Sequence, residues 1–312
     1  LFSIREKRTK PGRDDKILTS WNGLMISAFT KVYRITNNLT YLNHAKKGIE
    51  FIEDKMGTSD GRLRRTYRDG VSKLNAYLDD YAFYISALLD VFEADTDATY
   101  IEKAILYADF MIKHFWDDER KNFFLTSDDH EQLIVRTKSL YDLAIPSGNS
   151  MAASALVRLY HISRNSNYLL KAEQIMSVGA KAAGENPFGF GQLLNAIYLY
   201  IKKPIEITII GTNLKKSTDS AQMSNWLGKQ FIPNSITAII KDQFQLDGLN
   251  KYPFFDGKKV DINKQTKKIG AHKEPLDAEH AFVCKDFSCS LPLVSLEQLQ
   301  KRLGKDDDKI GS

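Results

Sequence analysis

Three short polar clusters occupy matching places in this chain. Counting eight, seven and six residues back from Ala28, Ala87 and Ala155 gives Ser20-Trp21-Asn22, Asp79-Asp80-Tyr81 and Ser147-Gly148-Asn149. Carboxylates, amides and hydroxyls gathered in one place can hydrogen-bond the hydroxyls of a sugar, and aromatic rings can stack on its apolar face. Two carboxylates can serve as acid and base in breaking a glycosidic bond when their separation suits a water or a direct attack. Asp79 and Asp80 are therefore the candidate catalytic pair, Trp21 and Tyr81 the stacking residues, and Asn22, Asn149 and Ser147 the hydroxyl ligands. Helix capping, at about 1 kcal/mol apiece, accounts for Ser20 and Ser147 without any ligand. It does not account for Trp21, Asn22, Tyr81 or Asn149, and two adjacent acids exceed what one cap needs.

The frame that positions these clusters recurs three times. Each copy has Ser-Ala at its centre, an aromatic five residues on (Tyr33, Phe92, Tyr160) and a Tyr thirteen on (Tyr41, Tyr100, Tyr168). Each of those Tyr residues opens an aromatic-aliphatic-x-x-Ala pattern, and a polar turn precedes it. This is the grammar of a helical hairpin, and a fixed period marks a repeat array. The frame predicts first helices at 19–36, within 75–115 and within 147–183, their partners from 41, 100 and 168, and a seventh helix at 192–201. If the first helices line the inside, their N-termini open on one face and bring the clusters together. Phe188 and Phe190, just before the seventh helix, arrive beside them. Inserts at 57–73 and 122–138 fall at the same place in two repeats, the second with strands in NFFLTS and QLIVRTK. Insertions at one place collect on one face of an array.

The fold expected is mainly α: αα-hairpin repeats over 1–203, forming part of an (α/α) six-hairpin toroid, then a small α/β domain over 204–304. Ile205–Gly211 and Ile236–Ile240 read as buried, parallel strands around an amphipathic helix, and Ala281–Cys284 offers a third strand before a helix at 295–303. Residues 305–312 read as a disordered tail. In the polar lead-in, Asp14 and Asp15 either fold over the mouth of the helix openings or stay in solvent.

Composition narrows the classes. The 312 residues carry a net charge of +5, with the basic residues dispersed rather than in a tract, which argues against nucleic-acid or membrane binding. The absence of an 18-residue apolar run argues against a spanning helix. Two cysteines, Cys284 and Cys289, exclude a disulfide scaffold and fit a reducing, cytoplasmic compartment; they read as structural thiols rather than a redox pair. None of the six histidines stands at a helix-opening position or at metal-ligand spacing, and Gly189-Phe190-Gly191 lacks the strand a dinucleotide loop requires. Neither a metal nor a cofactor is expected.

Four segments together resemble the spermatogenesis-associated protein 20 family: RxKRxxPxxDDKxLTSWNGLMI from Arg5, AYLDDYA from Ala76, AxPSGNS from Ala144 and AFVCKDFSCSLP from Ala281. The resemblance implies a toroid similar to those of N-acylglucosamine 2-epimerases and six-hairpin glycosidases, preceded in the family by a thioredoxin-like domain that this chain does not contain. It implies a domain that binds or processes carbohydrate, with a sugar or other small molecule as ligand and the N-terminal part of the same protein as partner. The alternative is a non-catalytic module that presents protein clients to the thioredoxin-like domain. Half a toroid exposes apolar flanks, which predicts either dimerisation through them or a separate chain that completes the ring.

Overall fold

A computed structural model of the chain describes residues 1–58, 61–131, 134–211, 222–241, 243–258, 266–269, 272–275 and 279–307. After a short helix α1 (Phe2–Glu6), three hairpins follow: α2 (Thr19–Thr36) with α3 (Leu39–Phe51), α4 (Leu78–Asp95) with α5 (Ala98–Phe115), and α6 (Gly148–Ser163) with α7 (Ser166–Glu185). Helix α8 (Gly191–Lys202) begins a fourth. The protein is mainly α, as the repeat predicts. Helices α2, α4, α6 and α8 pack side by side in that order as an inner row, with α3, α5 and α7 outside them.

The repeat frame has a direct structural meaning. Nine residues after each shared Ala, Asn37, Thr96 and Arg164 adopt φ of 55°, 58° and 59°, the left-handed conformation that ends a helix. The next residue in each copy, Asn38, Asp97 or Asn165, caps the following helix by accepting from the N–H of Thr40, Thr99 or Asn167. The inner helices approach closely where the frame supplies glycine. A Cβ on Gly23 would lie 2.9 Å from the Phe83 carbonyl carbon of α4, and one on Gly148 would lie 3.1 Å from the Asp79 nitrogen. Helix α4 contributes more to the core than any other helix: Leu78 and every residue from Asp80 to Leu89 is buried.

The first insert forms a sheet that the sequence only half disclosed. Strand β1 (Ile17–Leu18) of the lead-in pairs with β2 (Arg64–Arg68), which pairs with β3 (Val71–Asn75) through a turn with positive φ at Asp69 and Gly70. The second insert differs from expectation. Among its described residues it contributes only the two-residue strand β5 (Asn122–Phe123), which pairs with β4 (Trp116–Asp117), and the expected strand in QLIVRTK is absent over 134–138, while Gln132 and Leu133 lie outside the described residues. A backbone bond joins the two segments, from the Leu125 N–H to the Thr137 carbonyl at 2.8 Å, and side chains add to it: Lys138 Nζ donates to Asn122 Oδ1 at 2.7 Å and also to Asp117.

The C-terminal unit is a four-stranded sheet in the order β11-β10-β6-β7, with β6 (Ile205–Gly211) and β7 (Ser235–Ile240) parallel and β10 (Glu279–Lys285) antiparallel to β6. A hairpin β8 (Thr266–Ile269) and β9 (His272–Pro275) stands apart from this sheet. Helices α9 (Gln222–Gly228) and α11 (Leu296–Asp307) share a small core with β6 and β10, and α10 (Gln243–Leu249) packs by β7 and α5. Residues 305–307 continue α11 instead of starting the expected tail, and 308–312 lie outside the described residues. The two cysteines, read as free thiols, are bonded to each other. Cys284 and Cys289 are direct cross-strand partners between β10 and β11 (Ser288–Cys289), with Cα atoms 3.9 Å apart.

The sheet docks on the inner helices by their C-terminal ends. The Ile239 N–H on the free edge of β7 donates to Thr96 Oγ1 at 3.0 Å, so a helix-ending residue satisfies a strand edge. Beside it, buried Glu93 accepts from Arg34 at 3.1 Å, Arg158 at 2.7 Å and the Thr237 hydroxyl at 3.1 Å. Buried Glu206 of β6 likewise meets Arg164 at 2.9 Å and His161 at 3.3 Å from the end of α6. Charges taken out of water hold together when paired and hydrogen-bonded in this way.

Candidate functional site

The helix openings do come to one end of the row. The Ser20 N–H of α2 donates to Asp80 Oδ1 of α4 at 2.9 Å, and Asp142 Oδ1 and Oδ2 accept from the N–H groups of Ser147 and Gln192, at the starts of α6 and α8, at 2.8 and 2.7 Å. At the centre lies an acid–base cluster. Asp80 is fully buried and accepts from Ser20, from the Tyr77 N–H at 2.8 Å and from Arg65 Nη1 at 2.9 Å. The same Arg65 nitrogen reaches Asp79 at 3.2 Å, and the guanidinium lies 4.3 Å from the centre of the Tyr77 ring. Burial, and then the charge of Asp79, push the Asp80 carboxyl up to about 6 against the pull of Arg65 and the donors from Tyr77 and Ser20. Asp79 is the more open of the two, with a side chain 14% exposed against none for Asp80.

Several expected ligands are committed to the fold. Tyr81 is buried; its ring lies against Phe110 at 5.2 Å and against Tyr107 and Phe115, and its hydroxyl accepts from the Leu63 N–H at 3.1 Å, so no face is free to stack on a sugar. Asn149 has both ends occupied: its Oδ1 accepts from the Phe123 N–H at 2.8 Å, and its Nδ2 donates to the Phe123 and Ser139 carbonyls at 3.0 and 2.9 Å. It fastens the second insert to α6. Ser147 caps α6 by accepting from the Ser150 N–H at 3.1 Å. The half-buried Asn22 donates to the Leu18 carbonyl at 2.9 Å.

The remaining candidates divide by exposure. Trp21 is 62% exposed and Phe188 98%, while Phe190 is buried edge-on against Tyr141. Asp15 meets Arg68 of β2 at 2.9 Å, which places the lead-in beside the first-insert sheet, and Asp14 pairs with Lys16 in solvent. Four clefts of about 220 to 480 Å³ are lined by other residues, and one of about 300 Å³ lies at the opposite ends of α2 and α4.

Sequence reasoning missed Arg65, Tyr77 and His130. The insert rule placed 57–73 on the face of the openings without singling out Arg65, and His130 is distant in sequence from every aligned position. His130 lies 5.5 Å from the Tyr77 ring, and neither of its buried ring nitrogens has a hydrogen-bond partner among the described residues. Nearby, His114 Nδ1 lies 2.8 Å from Asp128 and 3.8 Å from Asp129, a grouping with ligand atoms close enough to share a cation. Arg62 already grips Asp129 and holds it well below the usual carboxylate range.

Comparison with known proteins shows what the chain is similar to. No protein-family model matches it. It is 26% identical to human spermatogenesis-associated protein 20 over 97% of its own length, and 26% identical to an uncharacterised protein of Caenorhabditis elegans over 98%. Among solved structures it is similar to a GH76 α-mannanase of Bacteroides thetaiotaomicron, at 14% identity and a TM-score of 0.48 over 61% of this chain and 55% of that one. It is also similar to a sugar epimerase from a ruminal bacterium, at 15% identity and a TM-score of 0.45 over 54% and 44%. The chain spans 38% of the human protein and 40% of the nematode one. Its resemblance to the spermatogenesis-associated protein 20 family, first carried by four motifs, holds along nearly its whole length.

Proposed function

We propose that this chain is a carbohydrate-processing domain that works at the end where the inner helices open. The observation that carries the reading is the Asp79–Asp80–Arg65 cluster: two adjacent carboxylates share one guanidinium at 3.2 and 2.9 Å, at a point where the sheet of the first insert meets the helix starts. In this reading Asp79 is the carboxylate that meets a ligand. Asp80 is a positioning residue that fixes Arg65 beside Asp79. Exposed Trp21, next to the Ser20 that binds Asp80, supplies a stacking surface. Calorimetry of the full-length protein with neutral, amino and uronic oligosaccharides tests the proposal. Saturable binding that Asp79→Asn removes supports it, and no binding by any of the three classes refutes it.

A second reading is favoured by one specific observation. Trp21, Met25, Val32 and Ile35 form an exposed apolar stripe along α2. Such a face suits a module that captures protein clients, with Asp79 and Asp80 as polar lining only. Client capture by the full-length protein then survives replacement of both by Asn, whereas a large loss returns the weight to sugar chemistry.

A further inference from the structure

The cleft of about 300 Å³ lies where the ends of α2 and α4 meet the α/β unit, and its chemistry is one-sided. Arg34, Lys229 and Lys241 line it together with the neutral polar side chains of Asn37, Ser224 and Asn225, and no carboxylate among the described residues does. Its volume is at the lower limit for small-ligand sites. The cleft also touches Ile239 and Lys241 at the carboxyl end of β7, in a parallel β6–β7 pair. Open α/β sheets bind ligands outside the carboxyl ends of their strands.

Each cation is held differently. Arg34 Nη1 donates to Glu93 Oε2 at 3.1 Å and Nη2 to Thr237 Oγ1 at 2.9 Å, so the guanidinium is fixed before any ligand arrives. A guanidinium carries five N–H donors in a rigid fork, and only two of Arg34's are used by these bonds. Its side chain stays 25% exposed on the cleft wall. Lys241 is 3.6 Å from Asp95, a carboxylate that Lys46 also binds at 2.5 Å, so one acid serves two ammonium groups. Lys229 is exposed and meets no carboxylate at ion-pair distance among the described residues. Across the cleft, Asn37 Nδ2 donates to Asn225 Oδ1 at 3.2 Å, which ties α2 to α9.

We propose that this cleft is a binding site for a small phosphate-bearing ligand, with the Arg34 fork on the phosphate and Lys229 and Lys241 completing the charge. A planar, preorganised fork with flanking ammonium groups is the arrangement that recognises such an oxyanion. The ligand would bridge the helical row and the α/β unit, and so would hold them together.

Titration calorimetry and thermal unfolding of this chain with inorganic phosphate, glucose 6-phosphate and glucose test the proposal. A phosphate-bearing probe should bind saturably and raise Tm, and glucose should do neither. Lys229→Ala with Lys241→Ala should weaken binding about tenfold or more, since each removes one charge contact, and Lys229→Ala alone should weaken it less. Exposed Lys181→Ala, on α7, serves as the control and should change nothing. Arg34 is left in place because its removal would take from buried Glu93 one of its two guanidinium partners. Tighter binding of glucose 6-phosphate identifies a sugar-borne phosphate as the ligand, and equal binding identifies free phosphate. No saturable binding by either phosphate probe overturns the proposal. Binding that both lysine variants leave intact also overturns it, since that marks an adventitious ion only.

Discussion

The Ser20 N–H donates to Asp80 Oδ1 at 2.9 Å across the gap between two inner helices, and this one carboxylate also takes the Tyr77 N–H and Arg65. Asp80 is thus a joint between α2, α4 and the first-insert sheet. Replacing it with Ala leaves the Ser20 and Tyr77 N–H groups without this acceptor and Arg65 with Asp79 as its remaining carboxylate, in a buried place. We expect a loss of about 3 to 5 kcal/mol in urea unfolding. Asp79→Ala, at the half-open side of the same cluster, should cost about 1 kcal/mol or less. Equal costs for the two would contradict the division of roles between them.

The raised Asp80 pKa sets a pH dependence with a definite sign. The folded value of about 6 lies above the ordinary 3.8 of an aspartate, so the folded state binds the proton more tightly than the unfolded one. The stability this contributes is fully present below about pH 4 and is lost as pH rises through about 6. The difference in unfolding free energy between the wild type and Asp80→Asn should therefore fall between those limits and level off above them. A flat difference from pH 4 to 7 would rule this out.

Asn149 makes three hydrogen bonds to the backbone of the second insert. Asn149→Ala should destabilise the protein by about 2 to 3 kcal/mol by leaving buried peptide groups unpaired. Hydrogen exchange should quicken at the Phe123 amide first. A variant of unchanged stability would return Asn149 to the list of ligand-binding residues.

Glu93 is the shared acceptor of Arg34, Arg158 and Thr237, where the helical row meets the sheet. Glu93→Ala should cost about 3 kcal/mol, because partly buried Arg34 loses its carboxylate and Arg158 is left with Asp90 at 2.8 Å. The loss should appear as early unfolding of the C-terminal unit, followed through Trp226 fluorescence. If Trp226 and the far-ultraviolet helix signal still unfold together with no loss of stability, the network does not hold the units together.

The apolar stripe of Trp21, Met25, Val32 and Ile35 on α2 is open on this chain. We expect light scattering to report a dimer, or a mass that rises with concentration, and Met25→Asp with Ile35→Asp to return a monomer. A monodisperse wild-type monomer would leave the stripe without a role in self-association.

What the sequence determined by itself was the repeat. Helical periodicity is local, and the turn chemistry at Asn37-Asn38, Thr96-Asp97 and Arg164-Asn165 is set by residues in contact along the chain, so the inner and outer helices could be placed to within a few residues. The common level of the helix openings followed, because equivalent positions in a stacked repeat must lie side by side. Tertiary structure alone decided what each polar residue does there. Tyr81 and Asn149 look like ligand groups in the alignment, yet a ring packed by Phe110, Tyr107 and Phe115 and an amide fixed by Phe123 and Ser139 have nothing left to offer. Arg65 and His130 look like loop residues, yet the inserts fold back and bring them to the openings. The Glu93 network and the cationic cleft join residues such as Arg34 and Thr237, 203 positions apart. No local pattern encodes such a contact, because it exists only once the sheet edge has docked on the helix ends and excluded water from the charges between them.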